Sequence, residues 1–159
     1  DEIIENVRNF NPQADIRGVL VSPMAAQGVE IIIGTKYDDQ FGPVIMYGLG
    51  GIMVEFLKDV SFRVLPITPT DARKMIAETK SYPILNGARG KPPLDQKSIR
   101  KLLQLCSEII EAYPDIEEMD LNPVIVYESG LGIVDARVIL KTDDRYQKSE
   151  DGGPRTSIL

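Results

Sequence analysis

The sequence predicts an α+β fold: a largely antiparallel sheet with helices packed on one face. Three observations point there. Runs of β-branched residues such as Val29–Thr35 and Pro43–Tyr47 are separated by short Asp- and Gly-containing turns. Two segments, from Thr68 to Lys80 and from Asp95 to Tyr113, repeat apolar residues at helical spacing. Between Asp120 and Leu140 the chain alternates, turns at Glu128–Gly132 and alternates again, as a hairpin does. With 159 residues, 43% of them hydrophobic, it can bury the core of one domain.

In chain order, Ile3, Ile4, Val7 and Phe10 fall on one helical face, and Asn11-Pro12 stops the pattern. Gly18–Val21, Val29–Thr35 and Pro43–Tyr47 read as strands of a meander, with loops at Pro23–Gly28 and Asp38–Gly42. Thr68 is placed to cap a helix with Pro69 in its first turn, running through Ala72, Met75, Ile76 and Thr79 to end near Lys80. The three prolines and two glycines of Tyr82–Pro93 put Leu85–Gly90 in a loop. Asp95 caps a long helix with the stripe Ile99, Leu102, Leu103, Cys106, Ile109, Ile110 and Tyr113, and Pro114 ends it. Residues 1–141 form the folded unit, and 142–159 are a charged, Gly-containing tail expected to be mobile. Because the chain starts at Asp1 rather than Met, it reads as a piece of something longer.

A net charge of −6, with Lys and Arg scattered, argues against nucleic acid as partner. The longest apolar run falls far short of the roughly 18 residues a membrane span needs. One cysteine, Cys106, permits no internal disulfide and suits a reducing compartment, so a cytoplasmic location is expected; its place on the stripe reads as packing. The absence of histidine removes imidazole bases, most transition-metal sites and any phosphohistidine carried on this chain.

What remains is oxygen chemistry, and the hairpin concentrates it. A turn of two or four residues sets Asn122 opposite Asp135 and Asp120 opposite Arg137, all on one face. Leu121, Pro123, Ile125, Val134, Ala136 and Val138 then face the core. Opposed Cβ atoms lie roughly 5 Å apart, so one oxygen from each of Asn122 and Asp135 can reach a Mg²⁺ at about 2.1 Å. The same spacing equally describes a solvated polar face with an Asp120–Arg137 ion pair. Glu30, alone in an apolar strand, is either an edge residue facing water or a carboxylate receiving a ribose or metal-bound water. Ser22, Pro23 and Met24 could border a base, although Met24 equally suits a core. Gly50 and Gly51, in Gly48-Leu-Gly-Gly51 before Ile52–Glu55, permit close backbone approach without matching a dinucleotide fingerprint or a lysine phosphate loop. Arg89, between two glycines, could hold a phosphate or stand in solvent.

Several ordered motifs bring a resemblance: Gly18-Val-Leu-Val-Ser-Pro-Met24, Gly28-Val-Glu30, Asp39-Gln-Phe-Gly-Pro43, Gly48–Glu55, Leu85-Asn-Gly-Ala-Arg-Gly90, Asp120-Leu-Asn-Pro123 and Val134-Asp-Ala-Arg137. Over Gly18–Lys141 the chain resembles the ATP-grasp β component of ADP-forming acyl-CoA synthetases, the acetyl-CoA synthetase branch. The last two motifs are similar to the Glu-Ile-Asn-Pro and Leu-Asp-Ala-Lys signatures of succinyl-CoA synthetase β chains. The resemblance implies the second ATP-grasp lobe, with Mg²⁺ on Asn122 and Asp135, ATP or ADP along Ser22, Pro23, Met24, Glu30, Gly50 and Gly51, and Asp120 facing a phosphohistidine, with Arg89 assigned beside it to the reaction. Ser22 and Asp120 depart from the succinyl enzymes, which carry an acidic residue and a Glu there. The first lobe, the histidine and the CoA-ligase (α-like) component would come from other chains or segments, leaving the isolated chain inactive. Similar regions fused to protein acetyltransferases imply an alternative, a binding or regulatory module.

Overall fold

The computed structural model describes residues 2–51 and 59–141; the expected Ile52–Glu55 stretch, the 142–159 tail and the Arg89 side chain lie outside the described residues. The first helix, α1 (Glu2–Phe10), forms as its spacing predicts, yet it buries none of its residues, and Phe10 is 93% exposed. The expected strand at Gly18–Val21 does not form; 14–26 carries no regular structure, with Leu20 and Val21 both exposed. A β-branched run becomes a strand only where a neighbour completes its ladder. None of the described residues does so here.

Among the described residues six strands make one sheet: β1 (Val29–Asp38), β2 (Gly42–Leu49), β3 (Val60–Val64), β4 (Ile116–Val126), β5 (Leu131–Ile133) and β6 (Ala136–Leu140). Their order is β3-β2-β1-β4-β5, with β6 also on β4, and every pairing is antiparallel. Between β3 and β4 come α2 (Pro69–Glu78), α3 (Tyr82–Leu85) and α4 (Gln96–Ala112). The cap on α2 is reciprocal, since Thr68 Oγ1 accepts from the Asp71 amide at 3.2 Å and the Asp71 carboxylate from the Thr68 amide at 2.9 Å. The expected loop over Leu85–Gly90 holds more order than its prolines suggest: α3 reaches Leu85, and Ala88–Gly90 makes a 3₁₀ turn.

Among the described residues the helices of the core lie on one face of the sheet. There Ile31 and Ile33, Ile45 and Tyr47, Met119, Leu121, Val124 and Val126 meet Met75 and Ile76 of α2 and Ile99, Leu103 and Cys106 of α4 in one buried cluster. Full burial of each such aliphatic side chain contributes about 1.5–3 kcal/mol. Tyr113, placed on the stripe by spacing, follows the last turn of α4 and is exposed.

β4 departs from simple alternation. Ile31 pairs with Val124 and Ile33 with Leu121, so Asn122 and Pro123 together oppose Ile32 in a bulge. The core set therefore shifts from Met119 and Leu121 to Val124 and Val126, and Ile125 falls on the other face. This corrects the expectation that Pro123 and Ile125 face the core. Val134, Ala136 and Val138 are corrected too: they are exposed, because the helices do not extend over β6.

β3 was not anticipated. Its polarity is inverted, with Ser61 and Arg63 turned to the helices and Phe62 exposed. Ser61 Oγ donates to the Met75 carbonyl at 2.9 Å, and Arg63 pairs with Glu78 at 2.6 Å. Just before it, buried Asp59 accepts the Lys80 and Ser81 amides at 2.7 and 2.8 Å, tying the sheet to the start of α3.

Candidate nucleotide and metal site

The uncovered face carries the polar residues. The hairpin has a four-residue turn, Tyr127–Gly130, with Val126 opposite Leu131. Asp120 pairs with Arg137 and Leu121 with Ala136, while the Asn122 amide donates to the Asp135 carbonyl at 3.2 Å and Val134 to Pro123 at 3.0 Å. The register read from the sequence therefore holds, and Asn122 stands opposite Asp135. Both are exposed. Asp135 Oδ1 accepts the Ala136 amide at 2.9 Å, which orients the carboxylate.

The expected Asp120–Arg137 ion pair does not form, because Arg137 reaches diagonally to Glu118 at 3.3 Å. Asp120 is half-buried, and its pKa is raised first by burial, then by the charge of Glu118; Arg137 opposes this and Asp135 adds to it. An added cation here would lower that repulsion.

Asp120 also lines a cavity of about 340 Å³ with Gly34, Lys36, Val44, Met46, Phe62 and Glu118. Gly34 and Lys36 were not singled out by sequence. Gly34 pairs with Asp120, and an added Cβ would lie 4.0 Å from Asp120 Oδ1, so the missing side chain leaves the space beside the carboxylate open. A lone glycine inside an otherwise apolar strand was the available signal.

Glu30 lies on the same face four residues along β1 from Gly34, about 13 Å away. It is exposed, as one expectation held, but β1 is a central strand rather than an edge. The Gly50 amide donates to the Glu30 carbonyl at 2.7 Å, and a Cβ on Gly51 would lie 3.6 Å from Glu30 Oε2. Both glycines thus meet Glu30, and Gly51, at φ +67°, needs the left-handed region. Ser22, Pro23 and Met24 are exposed, with Met24 at 95%, which removes its core reading. Arg89 sits in the 3₁₀ turn after Gly87, whose Ala88 borders a cavity together with Gly28 and Val29 at the start of β1.

Among the described residues no three or more His, Cys, Asp or Glu side chains gather to hold a metal ion. The oxygen donors that could hold one are the Asn122 amide oxygen and the Asp135 carboxylate, which face each other, with Asp120 near. Such a set cannot enclose a cation, but it fits Mg²⁺, which is commonly held by one or two carboxylates with the rest from phosphates and water. No helix among the described residues is long and apolar enough to cross a membrane.

Residues 1–140 match the family model described as an ATP-grasp domain. The chain belongs to the ATP-grasp family. This ATP-grasp chain is 56% identical over 144 residues to the β subunit of acetate–CoA ligase [ADP-forming] II of Pyrococcus furiosus, covering 89% of this chain and 61% of that subunit. It is 51% identical to acetate–CoA ligase [ADP-forming] I of Archaeoglobus fulgidus, covering 87% of this chain and 20% of that protein. Among solved structures, an acetyl-coenzyme A synthetase of Ca. Korarchaeum cryptofilum, with coenzyme A, acetyl-coenzyme A and a phosphorylated phosphohistidine segment, aligns with a TM-score of 0.81 at 51% identity over 88% of this chain and 62% of that one. Another form of that enzyme, with coenzyme A and Mg-AMPPCP, aligns with a TM-score of 0.71 at 50% identity, over 74% of this chain and 55% of that one. The ATP-grasp chain thus spans about three fifths of the subunits it matches.

Proposed function

We propose that this chain is the second lobe of the nucleotide-binding component of an ADP-forming acyl-CoA synthetase. In this reading it acts with a first ATP-grasp lobe and a CoA-ligase component to pass a phosphoryl group between a phosphohistidine and ADP. The observation that carries it is the uncovered face, where Asn122 opposes Asp135 beside the cavity that holds Asp120. Support also comes from relatives named as ADP-forming acetate–CoA ligases and from the solved complex of one neighbour with Mg-AMPPCP.

Each residue has a task. Asn122 and Asp135 would hold Mg²⁺, which when bound offsets charge on the nucleotide phosphates. Glu30, over Gly50 and Gly51, accepts hydrogen bonds from a ribose, while the segment at Ser22–Met24 borders the base. Asp120, with its raised pKa, faces the incoming imidazole and accepts its N–H, orienting the ring for transfer. Lys36 offers a cation to the phosphoryl group in the same cavity. Arg89 is assigned an anion in the complete assembly. The exposed apolar faces of α1 and of Val19–Val21 fit a chain that meets further structure in the whole enzyme.

The test uses the complete enzyme. Asp135→Asn and Asn122→Ala should lower ATP formation from acyl-CoA, ADP and phosphate by about a hundredfold or more, as expected when charge stabilisation in the transition state is lost. By calorimetry, Mg²⁺ should no longer strengthen ADP binding. Undiminished ATP synthesis with unchanged Mg²⁺ dependence would sink the assignment.

A further inference from the structure

Residues 22–28 leave the sheet at the start of β1, and all are exposed. Their support is concentrated on one side chain. Tyr127 Oη donates to the Ala26 carbonyl at 3.4 Å, the only hydrogen bond to reach 22–26 among the described residues. Two residues on, Gly28 lies so close to the hairpin that a Cβ would sit 2.5 Å from Ile125 Cγ2, 2.7 Å from the Val126 carbonyl oxygen and 3.1 Å from the Tyr127 ring. Val126 O is backbone and cannot turn aside. Beside this contact, on the helix side of the sheet, is a cavity of about 850 Å³ bordered by Gln27, Gly28, Leu94 and Tyr127.

Tyr127 is itself held at both ends of its peptide. Its amide donates to the Gly130 carbonyl at 3.1 Å, and its carbonyl accepts the Asp95 amide at 2.9 Å. The Asp95 carboxylate then takes the Gly130 amide at 2.8 Å through Oδ2, while Oδ1 caps α4 by accepting the Ser98 amide at 3.0 Å. A single residue thus fastens the hairpin turn to a helix that is fixed in the core.

We propose that Tyr127, locked by Asp95, is a positioning residue that seats the 22–28 segment and so sets where Ser22–Met24 lies relative to Glu30. The inference rests on the reading that nucleotide binds along those residues. Glu30 follows Gly28 by two positions, so a tilt at Gly28 moves one wall of that site against the other.

Three variants of the complete enzyme separate the parts. Asp95→Asn keeps an oxygen for the Ser98 amide, since Asn caps helices as well as Asp does, but turns an NH₂ toward the Gly130 amide. Gly28→Ala forces the segment off the hairpin, and Tyr127→Ala removes its seat. All three should raise the KM for ADP roughly tenfold or more while kcat at saturating ADP stays within about twofold, the split expected for lost ground-state positioning. Tyr127→Phe keeps the ring against Gly28 but loses the bond to the Ala26 carbonyl, so its KM should fall between those of wild type and Tyr127→Ala. Asp135→Asn, run alongside, should instead lose kcat. An unchanged KM in folded Asp95→Asn and Tyr127→Ala, with Asp135→Asn impaired, overturns the seat and leaves the proposed function standing. If Asp135→Asn is unimpaired, the site reading falls and takes this inference with it.

Discussion

Replacing Asp59 by Asn tests how the sheet is joined to the segment that carries α3 and the Ala88–Gly90 turn. The carboxylate is 7% exposed and accepts two backbone amides, Lys80 at 2.7 Å and Ser81 at 2.8 Å. Asn retains one acceptor and presents an NH₂ to the second amide, so one charge-assisted bond is lost and a donor faces a donor. Hydrogen bonds to charged groups contribute about 1.5–3 kcal/mol each, which gives a cost of about 2 kcal/mol for Asp59→Asn and about 4 kcal/mol for Asp59→Ala. For a domain of this size the first corresponds to a fall in Tm of about 4–8 °C.

The effect has a pH signature. Burial acts to raise the Asp59 pKa, but the nearby Ser81 hydroxyl and the hydrogen bonds from the Lys80 and Ser81 amides outweigh it and hold the group below its ordinary value. The Ser81 hydroxyl contributes through proximity, since it has no partner of good hydrogen-bond geometry. A depressed folded pKa stabilises the fold fully above the unfolded value of about 3.9, and the contribution fades as pH falls through the folded pKa. Denaturant unfolding of wild type and Asp59→Asn should therefore differ by a constant amount from pH 7 to about 5 and converge below about pH 4. Equal stabilities at pH 7, or a gap that persists undiminished at pH 3, would refute the reasoning.

Gly34→Ala should fold normally, because its Cβ would meet only ordinary contacts, the nearest being Met46 Cε at 3.6 Å. Gly34→Val adds branches beside Asp120 and should keep Tm within a few degrees yet depress phosphoryl transfer in the complete enzyme; full activity would show that this cavity is not used. Gly50→Ala places a Cβ 2.9 Å from Glu30 Cβ and 3.1 Å from its carbonyl carbon, so ADP affinity measured by calorimetry should fall, and an unchanged Kd would remove Glu30 from the site. Burial pushes the Cys106 thiol up to about 12, so the native chain should resist alkylation at pH 8 and react only when unfolded; prompt labelling of the folded chain would contradict the core placement.

The elements that could be read from sequence were those whose pattern and environment agree. α4 joins an Asp cap to a stripe that faces the core as far as Ile110, and the hairpin register followed from turn length. β3 escaped because Phe62 points outward while Ser61 and Arg63 turn inward, satisfied by Met75 and Glu78. Val19–Val21 misled for the opposite reason: its propensity is strong, but a strand is a property of a pair. On the hairpin, the facing of Asn122 and Asp135 was legible from spacing, whereas the diagonal Arg137–Glu118 pair was not, since register sets which backbones face each other and leaves long side chains free to reach sideways. Gly34 and Lys36 contribute an empty space and a cation, which acquire meaning only once Asp120 is seen across the ladder.

The bulge at Asn122-Pro123 has a consequence for how this hairpin can change length. On its β1 side, two residues stand where one would do, opposite Ile32. On its outer side the pairing stays in step from Met119 with Val138 to Val126 with Leu131, so the extra residue of β4 is answered by one in the Val134–Asp135 crossover between β5 and β6. A deletion at 122–123 alone would leave β1 a regular partner and the core parity intact, while throwing Asn122 and Asp135 out of alignment with the turn. Length can then be gained or lost at this place only in matched steps on both strands, and a single-residue deletion would yield a chain that folds but no longer presents its two oxygen donors together.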